Sequence, residues 1–314
     1  MDTRAQLYAE LLEASKTQRT ANVAAHKAHT ARLTAAVAMR RSLAAARAGT
    51  PVPKTPLDFL AIGDSWFEYP LDGNGPSFAG NTAIVAQTQL GSMGDPPPHI
   101  LNQALHGQAT TAMLSYENQQ TLIDLLGDST QWLNEQTGLP DAILVSGGGD
   151  DLVGDQLAIY LDYGGGGLNN QRFQGILDSV QASYFDLFAF RDRFAKGVPI
   201  IGHCYDYAIP NNAHPICVAS AWLSPSLTFA GYEYNQGLTI VSQMIDKFHD
   251  MLAALAGDPA NNFMLIDTRN TLTRNASQPN GWANEIHPYF DGFTALANKF
   301  LTALRATPAF QGRI

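Results

Sequence analysis

The sequence predicts an α/β protein: a three-layer α/β/α sandwich on a five-stranded parallel sheet, preceded by a helical arm. Three observations predict it. Five short apolar runs bounded by turn residues recur between longer helical stretches, which is the alternation of βαβ units. The first run, LDFLAI at 57–62, is apolar without alternation, as a strand buried on both faces must be. The first 50 residues contain no Pro and only one Gly, and their Ala, Arg and Leu favour a long helix.

Along that arm the apolar stripe is thin. Leu7 and Leu11, Leu33 and Val37, and Met39 and Leu43 are spaced i, i+4, and the middle is Ala and polar. Such a helix builds no core alone, so it is expected to be an arm or helical hairpin that packs on the main domain or on another subunit, where it would drive homo-oligomer formation. An organelle-targeting segment and a membrane-surface helix are the other readings of so basic a stretch. Gly49 to Pro56, GTPVPKTP, cannot continue a helix. The expected organisation is therefore an arm over 1–50, a linker over 51–56 and one main domain over 57–314.

Within that domain the first strand covers 57–62. A Gly- and Asn-rich loop (71–81), a helical piece through Leu90 and Pro96 to Pro98 lead to a second strand, His99 to Leu105. A helix follows over 109–126. The third strand, Asp141 to Ser146, ends in Gly147 to Gly149 and the acids Asp150 and Asp151. A glycine loop, Gly164 to Gly167, precedes an amphipathic helix over 170–195. The fourth strand, Val198 to His203, opens an aromatic-rich excursion to Tyr234. A helix over 236–255, a fifth strand from Phe263 to Asp267, and a last helix capped by Asp291 complete the chain.

Charge is unevenly spread. Residues 1–50 carry eight basic side chains against three acids, a net of +5; the whole chain is −9, so residues 51–314 carry −14. An acidic body argues against a nucleic-acid surface, which needs clustered Lys and Arg. Cys204 and Cys217 are too few for a disulfide scaffold, and they read as buried thiols or one bridge. His99, His106, His203 and His214 lack close-set carboxylates or a second His at i+4, so they read as structural, and no metal or cofactor is expected. Asp150 and Asp151 side by side would share a proton or hold a cation only with further hard ligands. No apolar stretch approaches the roughly 20 residues of a membrane span. The N-terminus lacks the short apolar core of a secretory signal, so cytoplasmic residence is expected.

Four loops on one edge of the predicted sheet gather the chemistry. They hold Gly63-Asp64-Ser65, then Asn102 through Gly107, then Gly148-Gly149-Asp150-Asp151, then Asn284-Glu285-Ile286-His287. Acyl transfer needs a hydroxyl nucleophile, a base in hydrogen-bond reach and donors aimed at the developing oxyanion. Ser65 and His287 are candidates for the first two roles, and the backbone N–H groups of Ser65 and Gly107 for the donors. Asp64, in a turn, is expected to bond nearby backbone N–H groups.

These four blocks, in order along 57–300, resemble those of the SGNH or GDSL-type hydrolases, esterases and lipases on a flavodoxin-like sandwich. GDSW at 63–66 is similar to the nucleophile block, with Trp66 where Leu is often found. Asn102 to Gly107 is similar to the block whose glycine donates an oxyanion N–H, SGGGDD at 146–151 to G-x-N-D, and the segment around His287 to D-x-x-H. The resemblance implies a cofactor-independent serine esterase acting on small carboxylic esters, with Ser65 attacking and His287 as base. It places Asp150 where the family has an Asn oxyanion donor, and Asn284 where it has the Asp that orients the base.

Three accounts of those two departures stand side by side. In one, Ser65 and His287 act with Asn284 or a backbone carbonyl orienting the ring, and Asp150 stays protonated or turns aside. In another, Glu285 or Asp291 supplies the missing charge. In the third, the scaffold has lost hydrolysis and binds a ligand, assembling through its N-terminal helices. Trp66, Phe67, Tyr69 and Phe78 after the serine, with Tyr205, Tyr207, Trp222, Phe229, Tyr232 and Tyr234 in the excursion, suit either an acyl chain or a sugar face; half of these rings are expected in the core.

Overall fold

The computed structural model describes residues 3–46, 54–69, 90–94, 96–215, 218–274 and 281–313. The loop and helical piece expected over 71–89, linker residues 51–53, Phe78 and Cys217 lie outside the described residues.

Strand β1 (Asp58–Gly63) pairs in parallel with β2 (His99–Asn102) on one side and β3 (Ala142–Ser146) on the other; β3 pairs with β4 (Ile200–His203), and β4 with β5 (Phe263–Ile266). The order β2-β1-β3-β4-β5 is all parallel, as expected. It reverses between β1 and β3, and the crevice beyond the carboxyl ends of those strands is where open α/β sheets bind ligands.

Helices α2 (Tyr116–Gly127), α3 (Asn170–Phe194) and α4 (Tyr234–Gly257) contact one another along one layer, and α5 (Phe290–Ala306) lies against β5. Helices α3 and α4 begin where side chains satisfy their first N–H groups. Asn169 accepts from the Arg172 N–H at the start of α3, and Glu233 and Gln236 form a reciprocal capping box at the start of α4. Along α3, Phe173, Leu177, Val180, Tyr184 and Leu187 recur at helical spacing and are buried, each fully buried Phe or Leu contributing about 1.5–3 kcal/mol.

Several local expectations are corrected. Strand β2 stops at Asn102, because that side chain turns back: its Oδ1 accepts the Ala104 N–H at 3.0 Å and its Nδ2 donates to the Phe67 carbonyl at 2.8 Å. The helix expected over 109–126 is broken at Ser115, whose extended backbone separates a single turn, Thr110–Met113, from α2. The glycine loop at 164–167 is largely the turn of a small antiparallel ribbon, Leu161–Asp162 with Gly167–Leu168. Asp291 is not the cap of the last helix: Tyr289 holds that position, and Asp291 lies in the first turn.

The arm is one 43-residue helix, α1 (Thr3–Ala45), rather than a hairpin, and it packs on its own main domain. It docks through polar residues spaced three or four apart. Asn22 donates to the Asn102 carbonyl at 3.3 Å, Gln103 donates to the Arg19 carbonyl at 3.2 Å, and Thr30 donates to the Gln131 carbonyl at 2.9 Å. His26 Nε2 lies 3.1 Å from Asp58 Oδ1 and its ring stacks on His99, centroids 3.8 Å apart and planes 8° from parallel. These three residues are the one His/Asp group among the described residues whose ligand atoms lie within 4.8 Å of one another. With the rings stacked, their in-plane lone pairs do not converge on one ion unless a ring turns.

Burial sets the protonation of this cluster. It lowers both imidazoles to about 4 and raises Asp58 to about 7, so the group is neutral in between. Between pH 6.5 and 4 the unfolded chain binds protons on both imidazoles that the folded one refuses, so these groups lose stability as pH falls. Asp58 acts oppositely, losing stability as pH rises from about 4 to 7. The two imidazoles outweigh the single carboxyl. We expect His26→Ala to cost about 1–3 kcal/mol at pH 7, by leaving Asp58 Oδ1 unpaired, and to flatten the decline in melting temperature from pH 6.5 to 4.5. Thermal melts across that range check both. An unchanged pH slope in the variant would remove His26 from the account.

No helix among the described residues is long and apolar enough to cross a membrane.

Candidate active site

Gly63 ends β1 at φ +126°, and a Cβ there would lie 1.9 Å from the Ser146 carbonyl oxygen, so only glycine lets β1 and β3 close up at this point. The chain then turns tightly. The Asp64 N–H donates to the Ser146 carbonyl at 2.9 Å, and the Phe67 and Glu68 N–H groups both return to the Asp64 carbonyl at 3.1 Å. This turn places Ser65 at the edge of the crevice between β1 and β3.

Asp64 is the structural hydrogen-bonder expected from its turn position. Its buried carboxylate accepts from Ser146 Oγ at 2.5 Å, from the Trp66 N–H at 3.0 Å and from the Tyr205 hydroxyl. Burial pushes it up to about 6 against those three donors.

His287 reaches Ser65 from the loop before α5, its Nε2 2.7 Å from Ser65 Oγ. That loop is closed by the Ala283 and Asn284 N–H groups on the His287 carbonyl and by the Tyr289 N–H on the Gly281 carbonyl. Trp66, at the position where the resembling family often has Leu, donates its indole N–H to the Ile286 carbonyl at 2.9 Å. The residue after the nucleophile thereby ties the serine turn to the histidine loop.

Asn284 decides the tautomer. Its Oδ1 accepts the His287 N–H at 2.9 Å and the Ile286 N–H at 3.1 Å, and lies 3.0 Å from His287 Nδ1; its Nδ2 donates to the Tyr69 hydroxyl at 3.0 Å. Turning the amide over would set N–H groups against N–H groups, so the oxygen faces Nδ1. Nδ1 therefore carries the proton, and the Nε2 lone pair faces the serine hydroxyl. An amide with its oxygen so fixed favours the tautomer that accepts from Ser65.

Burial, aided by the charge of the nearby His106, lowers His287 to about 3, so the ring is neutral at physiological pH. Two rings lie against it, Tyr69 with centroids 4.3 Å apart and Trp222 edge-on at 5.5 Å. A ring as close as Tyr69 offers an imidazolium electrostatic support.

The bonds that Glu285 makes point away from a role in supplying charge to His287. The Glu285 carboxylate is engaged by the N–H groups of Asn212, Leu223 and Ser224, at 2.9, 2.6 and 2.9 Å, and pins the excursion after β4. Asp291 accepts the neighbouring Gly292 N–H in α5.

Asp150 and Asp151 follow β3 in a single turn, Gly149–Leu152, and they part company. Asp151 accepts from the Thr110 N–H and hydroxyl at 2.9 and 3.1 Å, so the two do not form a paired site. Asp150 instead faces the cleft that Asp64 and Ser65 line. Burial raises its carboxyl well above the usual range, and the charges of Asp64 and Asp151 push the same way. That shift favours the protonated carboxyl, whose hydroxyl can donate, over the carboxylate, which cannot.

Gly107 lies at φ +70° in the turn after β2, where the Leu105 N–H on the Gly63 carbonyl, 2.8 Å, brings that turn beside the end of β1. A Cβ on Gly107 would meet the Tyr8 hydroxyl of the arm at 2.7 Å. The cleft encloses about 570 Å³ including its open mouth, and beyond the polar rim its wall is apolar, with Leu152, Leu223, Val241, Met244 and Trp282. Of the aromatic residues singled out in the sequence, Trp66, Phe67, Tyr69, Tyr205 and Tyr232 are buried while Phe229 and Tyr234 are exposed.

No family model matches the chain, and no curated protein matches it. Among solved structures it is similar to an extracellular lipase from Streptomyces rimosus (16% identity, 77% of this chain and 98% of that one, TM-score 0.45). It is also similar to a lipase from a goat rumen metagenome (15% identity, 79% and 97%, TM-score 0.47). A third is a carbohydrate acetylesterase from Sinorhizobium meliloti (12% identity, 80% and 99%, TM-score 0.43).

Proposed function

We propose that this protein is a serine ester hydrolase of the SGNH type, cleaving carboxylic esters through an acyl-enzyme on Ser65. The observation that carries the proposal is the line from Asn284 Oδ1 to His287 to Ser65 Oγ, at 3.0 and 2.7 Å, with the amide fixed so that Nε2 is the accepting nitrogen.

In the proposed reaction Ser65 Oγ attacks the ester carbonyl carbon while its proton passes to His287 Nε2. The carbonyl π electrons move onto oxygen, and three donors meet that oxyanion: the backbone N–H groups of Ser65 and Gly107 and the hydroxyl of neutral Asp150. Asn284 Oδ1 holds the Nδ1 proton, and the Tyr69 ring supports the transient imidazolium. Collapse breaks the carbon–oxygen bond of the leaving group, which takes the proton from Nε2. Water then repeats the sequence on the acyl-enzyme, releasing the acid and restoring Ser65. Every proton taken from the serine or the water is returned to a leaving group, so no cofactor is needed.

The apolar wall beside Ser65 favours an acyl chain over a sugar. We expect turnover of p-nitrophenyl esters to rise from acetyl to medium-chain acyl groups and to exceed that of an acetylated sugar. Initial rates across such a panel test this; a protein inert on every ester would return the chain to a ligand-binding role.

A further inference from the structure

The two backbone donors assigned to the oxyanion come from separate turns, 64–68 after β1 and 105–107 after β2, and their spacing must be held for both to reach one oxygen. A buried side-chain cluster crosses between exactly these turns. Glu68 closes the serine turn through its N–H on the Asp64 carbonyl, and its Oε2 lies 3.2 Å from Nδ1 of His106, the residue before Gly107. The third member comes from the arm: Ser15 Oγ lies 3.3 Å from Glu68 Oε2, 3.4 Å from Oε1 and 3.3 Å from His106 Nδ1. All three residues are less than a tenth exposed, at 5%, 8% and 6% for Ser15, Glu68 and His106. The opposite nitrogen, His106 Nε2, is buried without a hydrogen-bond partner among the described residues, so Glu68 and Ser15 are what anchor this imidazole.

We infer that Ser15, Glu68 and His106 are positioning residues for the oxyanion donors, and that the N-terminal helix is a working part of the active site. The inference rests on the hydrolase reading above. The cluster touches neither the reacting carbonyl nor Ser65 Oγ; it acts by clamping the turn that carries the Ser65 N–H to the turn that carries the Gly107 N–H. The Asn102 Nδ2 bond to the Phe67 carbonyl spans the same gap, so the clamp is reinforced rather than solitary. Loosening it lets the two donors part by a fraction of an ångström, and misplacement of about 1 Å is enough to cost on the order of 10²-fold in rate.

Two readouts separate positioning from mere folding: the division of the loss between kcat and KM, and the affinity for a trifluoromethyl ketone, which forms a tetrahedral oxyanion on a reactive serine. In the full-length protein, Glu68→Ala is expected to lower kcat by about tenfold or more with KM within about twofold, and to weaken ketone binding by the same factor as kcat/KM. Glu68→Gln, which keeps an oxygen for the His106 N–H, recovers most of the loss. Ser15→Ala, on the arm and removing only a hydroxyl, shows the same pattern at roughly threefold, and serves if Glu68→Ala does not fold. Folded variants with unchanged kcat and ketone affinity overturn the inference, as does a loss confined to KM. A wild-type protein inert to both ester and ketone overturns the hydrolase reading instead, and this inference falls with it.

Discussion

Asp150→Ala is expected to lower kcat on esters by about 10²–10³-fold, the usual cost of removing one oxyanion donor, whereas Asp150→Asn matches or exceeds the parent. The contrast follows from protonation. Asp150 is held well above the usual carboxylate range by burial, and by Asp64 and Asp151. Below that raised pKa its hydroxyl donates to the oxyanion; above it the carboxylate has no proton and repels the charge it should stabilise. The parent enzyme should therefore lose kcat as pH rises through the folded-state pKa of Asp150. An amide does not titrate, so Asp150→Asn keeps its rate on the alkaline side. The same sign applies to stability: a raised folded-state pKa contributes stability at low pH that is lost as pH rises, so the Asn variant should melt higher at pH 8. Rate profiles from pH 6 to 9 on both variants check the pair. Equal alkaline limbs in parent and Asn variant would assign that limb to another group.

The second large effect concerns the nucleophile and its base. Ser65→Ala and His287→Ala should each reduce kcat by about 10³-fold or more, and the double variant should lose no more than the worse single one, because the two act in one step. The parent should also keep its activity well into acid, since burial has lowered His287 to about 3 and the ring stays a free base through that range. Additive losses in the double variant would mean that serine and histidine act independently. That outcome is at odds with a 2.7 Å contact between Nε2 and Oγ.

Much of this architecture was legible in the sequence, for identifiable reasons. The five strands announce themselves because a parallel sheet covered on both faces needs uninterrupted apolar runs such as LDFLAI and AILVS. The contact of Ser65 with His287 joins two loops that the sequence already put on one edge, one after a strand and one before the last helix. The docking of the arm was not. An apolar stripe is the usual sign of a packed helix, and here the buried face is Ser15, His26 and Thr30 with Arg19 and Asn22 beside them, which reads as solvated surface until its partners on β1 and β2 are seen. His26, Asp58 and His99 are far apart in sequence, so nothing in their spacing could mark them as a cluster. Which end of the Asn284 amide faces the histidine could not be read from sequence; two backbone N–H groups and a tyrosine hydroxyl fix that orientation. The upward shift of Asp150 comes from burial and from the neighbouring Asp64 and Asp151, a property of the folded cleft that its sequence position does not show.

The most direct test of the central claim, that Ser65 is an activated nucleophile, is intact-mass analysis after incubation with a fluorophosphonate. The account predicts one adduct per chain, located on Ser65 by peptide mapping and absent from Ser65→Ala. A folded protein that gains no mass, or one labelled equally in Ser65→Ala, would contradict it.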